Sequence, residues 1–575
     1  MRNTYFSTKK RLFAMFVAIA FIFFVIFLRL GYIQIVWGKK LQTRALEQWT
    51  RDLPVTADRG DITDTNGIVF ASSGTSYTVY VRPNSVSNHS LVAELLSQTL
   101  KLSYQDVYDK VTAKISENTI KRKITVEEAN LIRSYNLEGV YLAADTSREY
   151  VYGDFLSQVL GFVSSDNTGQ SGLEAYYDKY LRGVDGAILT PSDLVGKELE
   201  GESAYYTPPV SGLNVVTTID FRIQRVVENV LDLVMQGHSP KGARCIVVNP
   251  QTGEVLAMSS KPSVDLNNLP RDNIGELMAS TKNMLITDVY EPGSTFKVLT
   301  AAAMLEEYAR RNPKAHSASY VFPNNANFRI VDGSRVKCWT THTSSKHCNQ
   351  NLGDALNNSC NPIFTDIGLS LGKETMYKYL SAFGYGAVSG IDFAGEQAGL
   401  LVAESAVTNG DLARISFGQT IAVTPLQLAM ATSAAVNGGL LMQPYLVKEI
   451  RTQEGELVKK FYPTVRQRAI SEKVSRELAG LLENVVTNGS GKQAYIEGFK
   501  VGGKTGTAQK YENGHIAVGK YVSSFVGFFP ADNPQYLALM LVDEPTGAHY
   551  GSTVAAPYAK MIFQQIINYK NLKPA

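Results

Sequence analysis

Residues 291–297 have the sequence EPGSTFK and are followed by apolar residues with helical spacing. A Pro-Gly pair before such a run places Ser294 at the start of a helix. Three residues later, Lys297 shares its helix face, and a buried lysine of lowered pKa can take the proton of a neighbouring hydroxyl. The helix N-terminus also favours developing negative charge. By itself the pair is weak evidence and more often marks only an exposed helix start, so its interpretation depends on the motifs that accompany it.

Two further short motifs follow in the same half of the chain. Ser359-Cys360-Asn361 comes first, and Lys504-Thr505-Gly506-Thr507 opens a predicted strand near the end. Each is weak evidence alone. A serine-lysine pair, a central Ser-x-Asn and a late Lys-Thr-Gly, in this order, form the motif set of penicillin-binding proteins and serine β-lactamases. The set predicts a serine acyl-transferring enzyme.

A more specific resemblance rests on longer segments. Residues 217–220 (TTID), Asn249-Pro250 with Gly253, residues 291–297, residues 359–362 (SCNP) and residues 502–509 (GGKTGTAQ) resemble the transpeptidase domain of class B penicillin-binding proteins. The match implies an α+β fold of the serine β-lactamase type and a monofunctional enzyme. Among class B proteins the chain is similar to the division and sporulation branch.

The region before this domain resembles the family's non-catalytic pedestal. Residues 59–67 (RGDITDTNG) are similar to the family's R-G-x-I-x-D-R-N-G, with Thr65 where arginine is usual, and residues 172–174 with 180–183 resemble a second pedestal motif. We expect Arg59 and Asp64 to stabilise the module rather than to touch substrate. The predicted organisation is a cytoplasmic tail (1–11), a transmembrane signal anchor (12–36), a pedestal of the class B dimerisation type (41–210) and a transpeptidase domain (213–570).

The anchor is predicted from residues 12–28, which are uninterruptedly apolar and continue into a half-apolar stretch. With that extension the segment is long enough to cross a bilayer as a helix, and its small residues lie mid-run, where a signal peptide would not be cleaved. Basic residues flank it about equally, so charge does not set its orientation. The large following domain predicts a single-pass membrane protein with an extracytoplasmic catalytic domain.

Composition excludes some other classes. The 575 residues are 44% hydrophobic and 19% charged, with a net charge of +3 from 56 basic and 53 acidic side chains. This near balance does not favour nucleic-acid binding, and we predict no nucleic-acid partner.

The resemblance implies a role for each motif residue. Ser294 would attack the D-Ala–D-Ala bond of a peptidoglycan stem peptide, and Lys297 would take its proton. Ser359 would relay a proton to the leaving amine, Asn361 would bind the donor peptide, and Lys504 would bind the terminal carboxylate. β-Lactams mimic the D-Ala–D-Ala end and would acylate Ser294.

The third motif, Lys504-Thr505-Gly506-Thr507, would make further contacts with the same substrate. The backbone N–H groups of Ser294 and Thr507 would form the oxyanion hole. The hydroxyls of Thr505 and Thr507 would contact the carboxylate, and Gly506 would leave room for substrate beside the strand. An amine of a second stem peptide would complete the cross-link, and the chemistry requires no cofactor. The resemblance also implies a membrane glycan polymerase of the shape, elongation, division or sporulation family as partner.

Three other functions use the same motifs. A β-lactam-sensing receptor would need a cytoplasmic output larger than the short tail. A D,D-carboxypeptidase differs only in giving the acyl group to water. A scaffold of a wall-synthesis complex could keep an intact but dispensable site. We favour the transpeptidase.

Cysteines and histidines cluster around the second motif. Cys338, His342, His347, Cys348 and Cys360 lie within 23 positions, and such ligands are typical of a closed zinc site. Some division and sporulation members look similar at Cys338, His347 and Cys360, with Cys348 as a candidate fourth ligand. Alternatively, Cys338 and Cys348 form a disulfide and Cys360 is a small buried residue.

Overall fold

The computed structural model describes residues 2–41, 50–191, 205–323, 326–342, 347–512 and 515–574. Its chain forms two compact units. Unit 1 contains the described residues of Met1–Asp58, Thr75–Ser147 and Val184–Val210, and unit 2 those of Arg59–Gly74, Arg148–Gly183 and Ser211–Ala575.

Unit 1 begins with the helix Arg2–Ile35. Its part Lys9–Ile35 has 27 residues and a mean hydropathy of 2.7, and none of its most apolar window is buried. A helix of this length and composition can span a bilayer. The predicted anchor, residues 12–36, lies inside this segment except for residue 36, which follows the end of the helix.

The rest of unit 1 is a small α+β module. Thr50–Val55, Gly186–Pro191 and Tyr205–Thr207 form one antiparallel sheet, and the second part of Val69–Val81 pairs with Asn118–Ile124. A short helical turn, Pro83–Ser85, precedes three helices, which are His89–Leu100, Tyr104–Val111 and Val126–Ser134. The strand Val140–Tyr150 follows the last helix. Thr125 and Glu128 cap the third helix reciprocally, which satisfies two backbone donors at its start. Apolar side chains of the helices and of Asn118–Ile124 form one core.

Unit 2 is built on a five-stranded antiparallel sheet. Its strands, in spatial order, are Val255–Lys261, Gly242–Val248, Tyr536–Asp543, His515–Phe529 and Gly502–Glu512. The first two strands form a hairpin around Asn249 and Gly253, and Gly253 has a φ of +80°, a conformation that glycine adopts without strain. Segments far apart in sequence therefore close one sheet, which agrees with the α+β fold expected from the resemblance.

Helices cover both faces of this sheet. Side chains alternate along a strand, so Cys245 and Val247 pack with the helices Phe221–His238 and Ala556–Lys570, while Ile246 and Val248 belong to the core that contains Lys297–Ala309 and Pro425–Val436. Most of the remaining helices of unit 2 surround this second core: Ser157–Leu160, Gly172–Tyr176, Asp178–Leu181, Ile274–Thr281, Met284–Thr287, Leu352–Asn357, Asn361–Leu371, Lys373–Ala382, Asn409–Ile415 and Glu472–Thr487, with 3-10 turns at Gly293–Phe296 and Glu404–Ala406. The helix Gly551–Val554 and the 3-10 turn Lys492–Ala494 pack in the first core instead.

Shorter strands complete unit 2. Phe328–Val331 pairs with Ser334–Lys337, and Leu440–Met442 pairs with Val465–Arg468. A second sheet joins Leu457–Lys460, Val447–Arg451, Asn214–Thr217, Ile62–Thr63 and the first part of Val69–Val81.

The structure divides the predicted pedestal, residues 41–210, between the two units. Ile62 pairs with Val215 in a parallel register, which ties residues 59–74 to the chain after residue 211. A buried ion cluster ties them to residues 148–183: the Arg59 guanidinium contacts Glu174 at 2.5 Å and Asp178 at 2.7 Å, and Arg148 contacts Glu174 at 2.6 Å. Arg59 contacts protein carboxylates rather than the catalytic motifs, which agrees with the expected structural role, and these contacts lie within unit 2.

Asp64 has a similar local role. Its carboxylate accepts the backbone N–H groups of Asn66, Ile68 and Phe221, and its side chain is buried. It fixes a turn, as expected for a residue that does not contact substrate.

Candidate active site

Ser294 lies in the 3-10 turn Gly293–Phe296, which leads directly into the helix Lys297–Ala309. Gly293 has a φ of +56° and donates its N–H to Gly418 O at 2.9 Å. A Cβ at Gly418 would lie 2.1 Å from Gly293 O. Two glycines therefore allow this close backbone contact, which holds the turn that carries the serine hydroxyl.

Lys297 joins the first two motifs. Its Nζ lies 3.1 Å from Ser294 Oγ, 3.1 Å from Ser359 Oγ, 2.8 Å from Ser359 O and 2.7 Å from Asn361 Oδ1. The side chain is fully buried, and burial lowers the pKa of Lys297 to about 8, against a smaller opposing effect of Cys338 and Cys360. A lysine with this pKa can accept the serine proton near neutral pH.

Ser359 lies between two lysines. Its Oγ is 3.1 Å from Lys504 Nζ as well as from Lys297 Nζ. Burial, and then the charge of Lys297, lower the pKa of Lys504 well below its ordinary value. Ser359 itself has a φ of +53°, an unfavourable conformation for a residue with a Cβ. This strain aims its hydroxyl at both ammonium groups, so a proton can pass between the lysines.

Asn361 begins the helix Asn361–Leu371. Its Oδ1 accepts from Lys297, and its Nδ2 donates to Lys337 O at 3.1 Å. Both ends of the amide therefore have protein partners, and one N–H of the amide is left for a ligand. The motif did not predict that Asn361 also positions Lys297.

The third motif lies on Gly502–Glu512, the strand at the edge of the five-stranded sheet. An edge strand offers free backbone groups to a peptide that adds alongside it. Thr505 Oγ1 donates to Ser490 Oγ at 3.2 Å, and Thr507 Oγ1 accepts the N–H of Gly551 at 3.1 Å. Nothing in the sequence pattern indicated Ser490 or Gly551.

The role predicted for Gly506 is corrected by its surroundings. A Cβ at this position would lie 2.4 Å from Ser524 Oγ, 3.0 Å from Thr295 Cγ2 and 3.2 Å from Pro292 O. The space that a side chain would fill is occupied by protein, not left open for substrate. Gly506 instead lets the edge strand approach the Ser294 turn, which brings the backbone of Thr507 beside that of Gly293.

Four side chains close to the second motif could hold a metal ion. The ligand atoms of Cys338, His342, His347 and Cys360 all lie within 4.8 Å of one another. Cys338 Sγ is 4.0 Å from His347 Nδ1, and Cys360 Sγ is 3.8 Å from His342 Nε2. With bonds of about 2.0–2.3 Å to zinc, tetrahedral ligand atoms are about 3.3–3.8 Å apart, so a small contraction of this cluster would bring its atoms to that spacing. The residues therefore fit a zinc ion.

Two expectations about the cysteines are wrong. Cys348 is not a member of the cluster, and His342 occupies the fourth position. His347 has a φ of +64°, so the backbone here is not extended, and the adjacent Cys348 lines a pocket together with Trp339, Asp354 and His347. Nor are Cys338 and Cys348 joined by a disulfide in the structure.

Comparisons with known proteins agree with this geometry. The description "Penicillin binding protein transpeptidase domain" matches residues 243–567, and "Penicillin-binding Protein dimerisation domain" matches residues 54–217. The chain belongs to the penicillin-binding protein transpeptidase family. Together the two domains make it a class B penicillin-binding protein, as the resemblance predicted, and an enzyme of the serine D,D-transpeptidase type.

Individual relatives cover almost the whole chain. It is 40% identical to Stage V sporulation protein D of Bacillus subtilis (strain 168), over 100% of this chain and 88% of that protein. It is 26% identical to peptidoglycan D,D-transpeptidase FtsI of Escherichia coli (strain K12), over 95% and 89%. A peptidoglycan synthetase structure from Bifidobacterium adolescentis superposes with a TM-score of 0.72 at 24% identity, covering 92% of this chain and 98% of that one.

A solved structure with a bound β-lactam has the same fold. Penicillin-binding protein 3 of Mycobacterium tuberculosis, in complex with aztreonam, has a TM-score of 0.68 at 22% identity, over 91% of this chain and 98% of that one. These likenesses confirm the predicted fold class: a penicillin-binding transpeptidase domain, a pedestal and one apolar N-terminal helix.

Proposed function

We propose that this protein cross-links peptidoglycan stem peptides through an acyl-enzyme on Ser294. The observation that carries the proposal is the position of Lys297 Nζ, within hydrogen-bonding distance of Ser294, Ser359 and Asn361. The names of the relatives, a sporulation protein and peptidoglycan D,D-transpeptidases, support a role in the wall of dividing or sporulating cells.

Acylation proceeds by attack of Ser294 Oγ on the carbonyl between the two terminal D-alanines. The serine proton passes to neutral Lys297, and the oxyanion is bound by the N–H groups of Ser294 and Thr507. When the C–N bond breaks, the leaving amine takes a proton through Ser359, whose Oγ contacts both Lys297 and Lys504. Free D-alanine departs, and the peptide remains esterified to Ser294.

Substrate binding uses the edge strand. The donor peptide lies along Gly502–Glu512, the remaining amide N–H of Asn361 contacts its backbone, and Lys504 with the hydroxyls of Thr505 and Thr507 attracts its carboxylate. An amine of a second stem peptide then attacks the ester and gives its proton to Lys297. This step restores the Ser294 hydroxyl and forms the new amide cross-link.

Labelled penicillin and intact-mass measurement test the nucleophile. Ser294→Ala should form no adduct, whereas Ser359→Ala should label slowly because the nucleophile is still present. A covalent adduct on Ser294→Ala would exclude this assignment.

A turnover assay distinguishes the transpeptidase from the alternatives. Stem pentapeptide with an excess of an acceptor amine should give cross-linked product. Release of D-alanine by water alone would favour a D,D-carboxypeptidase, and no turnover in spite of acylation would favour a scaffold.

Lys504→Ala separates carboxylate binding from the nucleophile. Second-order acylation by peptide substrate and by penicillin should both fall, because an ion pair with a desolvated carboxylate is lost. If both rates are unchanged, another cation binds the carboxylate.

The apolar helix Arg2–Ile35 supports a single-pass protein whose catalytic domain lies outside the cytoplasm, where peptidoglycan is assembled. A membrane glycan polymerase would supply the strands that this enzyme cross-links. Protease accessibility in intact spheroplasts tests the orientation: the transpeptidase domain should be digested while the membrane is closed, and its protection would reverse the topology.

A structural zinc ion would be held by Cys338, His342, His347 and Cys360. The ion would join the segment before Asn351 to the start of the helix that carries Asn361, and it would take no part in the chemistry. Protein purified without added metal should contain about one equivalent of zinc, and Cys338→Ser and His342→Ala should lose it with a lower Tm. The matched control Cys348→Ser should keep it; a zinc content below about a tenth of an equivalent in the unaltered protein would exclude the site.

A further inference from the structure

A cavity of about 660 Å³ in unit 2 is lined by aromatic rings and lysines. Its aromatic residues are Tyr176, Tyr177, Tyr180, Tyr445, Phe461 and Tyr462. Its size is that of an ordinary small-ligand site. No described residue of the three catalytic motifs lines it, so the proposed reaction does not account for it. We call it the tyrosine cavity.

The floor of the tyrosine cavity is rigid. Tyr177 donates its hydroxyl to Asp392 Oδ2 at 2.7 Å, and the same carboxylate accepts the backbone N–H groups of Leu446 at 2.6 Å and Val447 at 2.9 Å. Tyr177 meets the ring of Phe461 edge-on, with centroids 6.3 Å apart. A buried carboxylate with three donors fixes its partners firmly, so the ring positions exist before any ligand binds.

The rim of the cavity exposes aromatic surface. Tyr462 is 68% exposed and Tyr176 is 47% exposed. Aromatic faces carry partial negative charge and attract polarised C–H groups, such as those on the flat face of a pyranose ring. The hydroxyls of these tyrosines and the amide of Gln443 add polar groups beside that surface. Rings of this kind, with hydrogen-bonding groups at their edges, suit a sugar better than an apolar ligand.

Two lysines give the rim positive charge. Lys459 Nζ lies 4.7 Å from the Phe461 ring centre, and Lys179 Nζ lies 4.8 Å from that of Tyr180. Neither has a carboxylate within 4.0 Å among the described residues, whereas Lys460 pairs with Glu449 at 3.5 Å. A ligand stacked on these rings would therefore meet two ammonium groups that lack counter-charges, which favours a ligand with carboxylates.

We propose that the tyrosine cavity binds a carboxylate-bearing amino-sugar glycan, namely stretches of the peptidoglycan glycan strand from which the stem peptides have been removed, so that the sugar carboxylates are free. The sugar rings stack on Tyr462 and Tyr176, and the carboxylates face Lys459 and Lys179. This site lies outside the proposed transpeptidase chemistry; it rests on the proposed function only for the identity of the glycan. Binding of such a bare stretch holds the polymer on the enzyme while stem peptides elsewhere on the strand are cross-linked.

Calorimetry on the full chain in detergent tests the site, with Ser294 first acylated by penicillin so that the catalytic cleft is blocked. Glycan strands freed of stem peptides should bind, and neutral chitin oligosaccharides of equal length should bind several-fold more weakly. Tyr462→Ala should weaken both ligands about tenfold, which corresponds to a stacking contribution of about 1.4 kcal/mol. Lys459→Ala should weaken only the carboxylate-bearing strand.

Matched controls use residues outside the cavity. Tyr495 is 42% exposed elsewhere on unit 2, so Tyr495→Ala should leave the affinity unchanged, as should Lys473→Ala. All four variants should keep the penicillin acylation rate of the unaltered protein, which separates a failure of this inference from a failure of the proposed reaction. Absence of binding at millimolar strand, equal loss in Tyr495→Ala, or displacement by inorganic polyphosphate but not by chitin oligosaccharides would overturn the proposal.

Discussion

Two groups of buried cations in unit 2 differ in their partners: one group has carboxylates beside it, and the other has only neutral groups. Arg59 and Arg148 lie against Glu174, with Asp178 as a further partner, in a cluster whose innermost side chains are inaccessible. Lys297 and Lys504 are equally buried, but their partners are neutral hydroxyl, amide and carbonyl groups. Among the residues described, neither lysine has an ion pair with a carboxylate.

The difference appears in the proton affinities. Burial is the largest single influence on the pKa of Arg59 and lowers it, but the charges and hydrogen bonds of Glu174 and Asp178 together outweigh burial, so the pKa of Arg59 is raised. Burial without a carboxylate leaves Lys297 with a pKa of about 8. A paired buried cation stabilises the fold, whereas an unpaired buried lysine is ready to exchange a proton.

The largest effect should come from removing the unpaired base. Lys297→Met should reduce the second-order rate of penicillin acylation by about 10⁴-fold, the upper end for a lost general base. Its Tm should not fall, because the substitution removes a buried charge that has no ionic partner. Stopped-flow or intact-mass kinetics with a thermal melt measure both quantities; rapid acylation by the variant would show that Lys297 is not the base.

Breaking the paired cluster should have the opposite result. Glu174→Gln leaves two buried guanidinium groups short of one negative charge, which should lower the free energy of unfolding by about 3 kcal/mol and the Tm accordingly. The folded fraction should acylate at the rate of the unaltered protein. Glu472→Gln, in the exposed pair with Arg476, is the matched control and should change stability by less than about 1 kcal/mol. A similar Tm in both variants would contradict the comparison.

The acylation rate of the unaltered protein should depend on pH because Lys297 titrates, and this change should be smaller than the effect of replacing Lys297. Lys297 must be neutral to take the serine proton, and with a pKa of about 8 the neutral fraction rises about tenfold per pH unit below that value. The acylation rate should therefore increase about tenfold from pH 6 to pH 7 and level off above about pH 9. A rate that is flat from pH 6 to pH 9 would mean that the lysine is neutral throughout or is not the base.

The sequence alone identified Ser294 as the proposed nucleophile, placed Lys297 beside it and gave the order of the motifs. These are local signals: Ser294 and Lys297 are three residues apart, and Pro-Gly marks a helix start whatever surrounds it. The membrane helix was determined in the same way, since residues 12–28 need only their own composition. The hairpin around Gly253 likewise follows from its turn residues.

Only the tertiary structure decided which distant groups meet. Ser359 lies between Lys297 and Lys504 because a helix start and an edge strand converge on it, and no spacing in the sequence encodes that distance. His342 rather than Cys348 lies with Cys338, His347 and Cys360, and the spacing of these residues in the sequence does not encode that choice. Gly506 is required by the Ser524 hydroxyl and the Pro292 carbonyl, both remote in sequence. Close packing of segments far apart along the chain creates these constraints, and local patterns do not contain them.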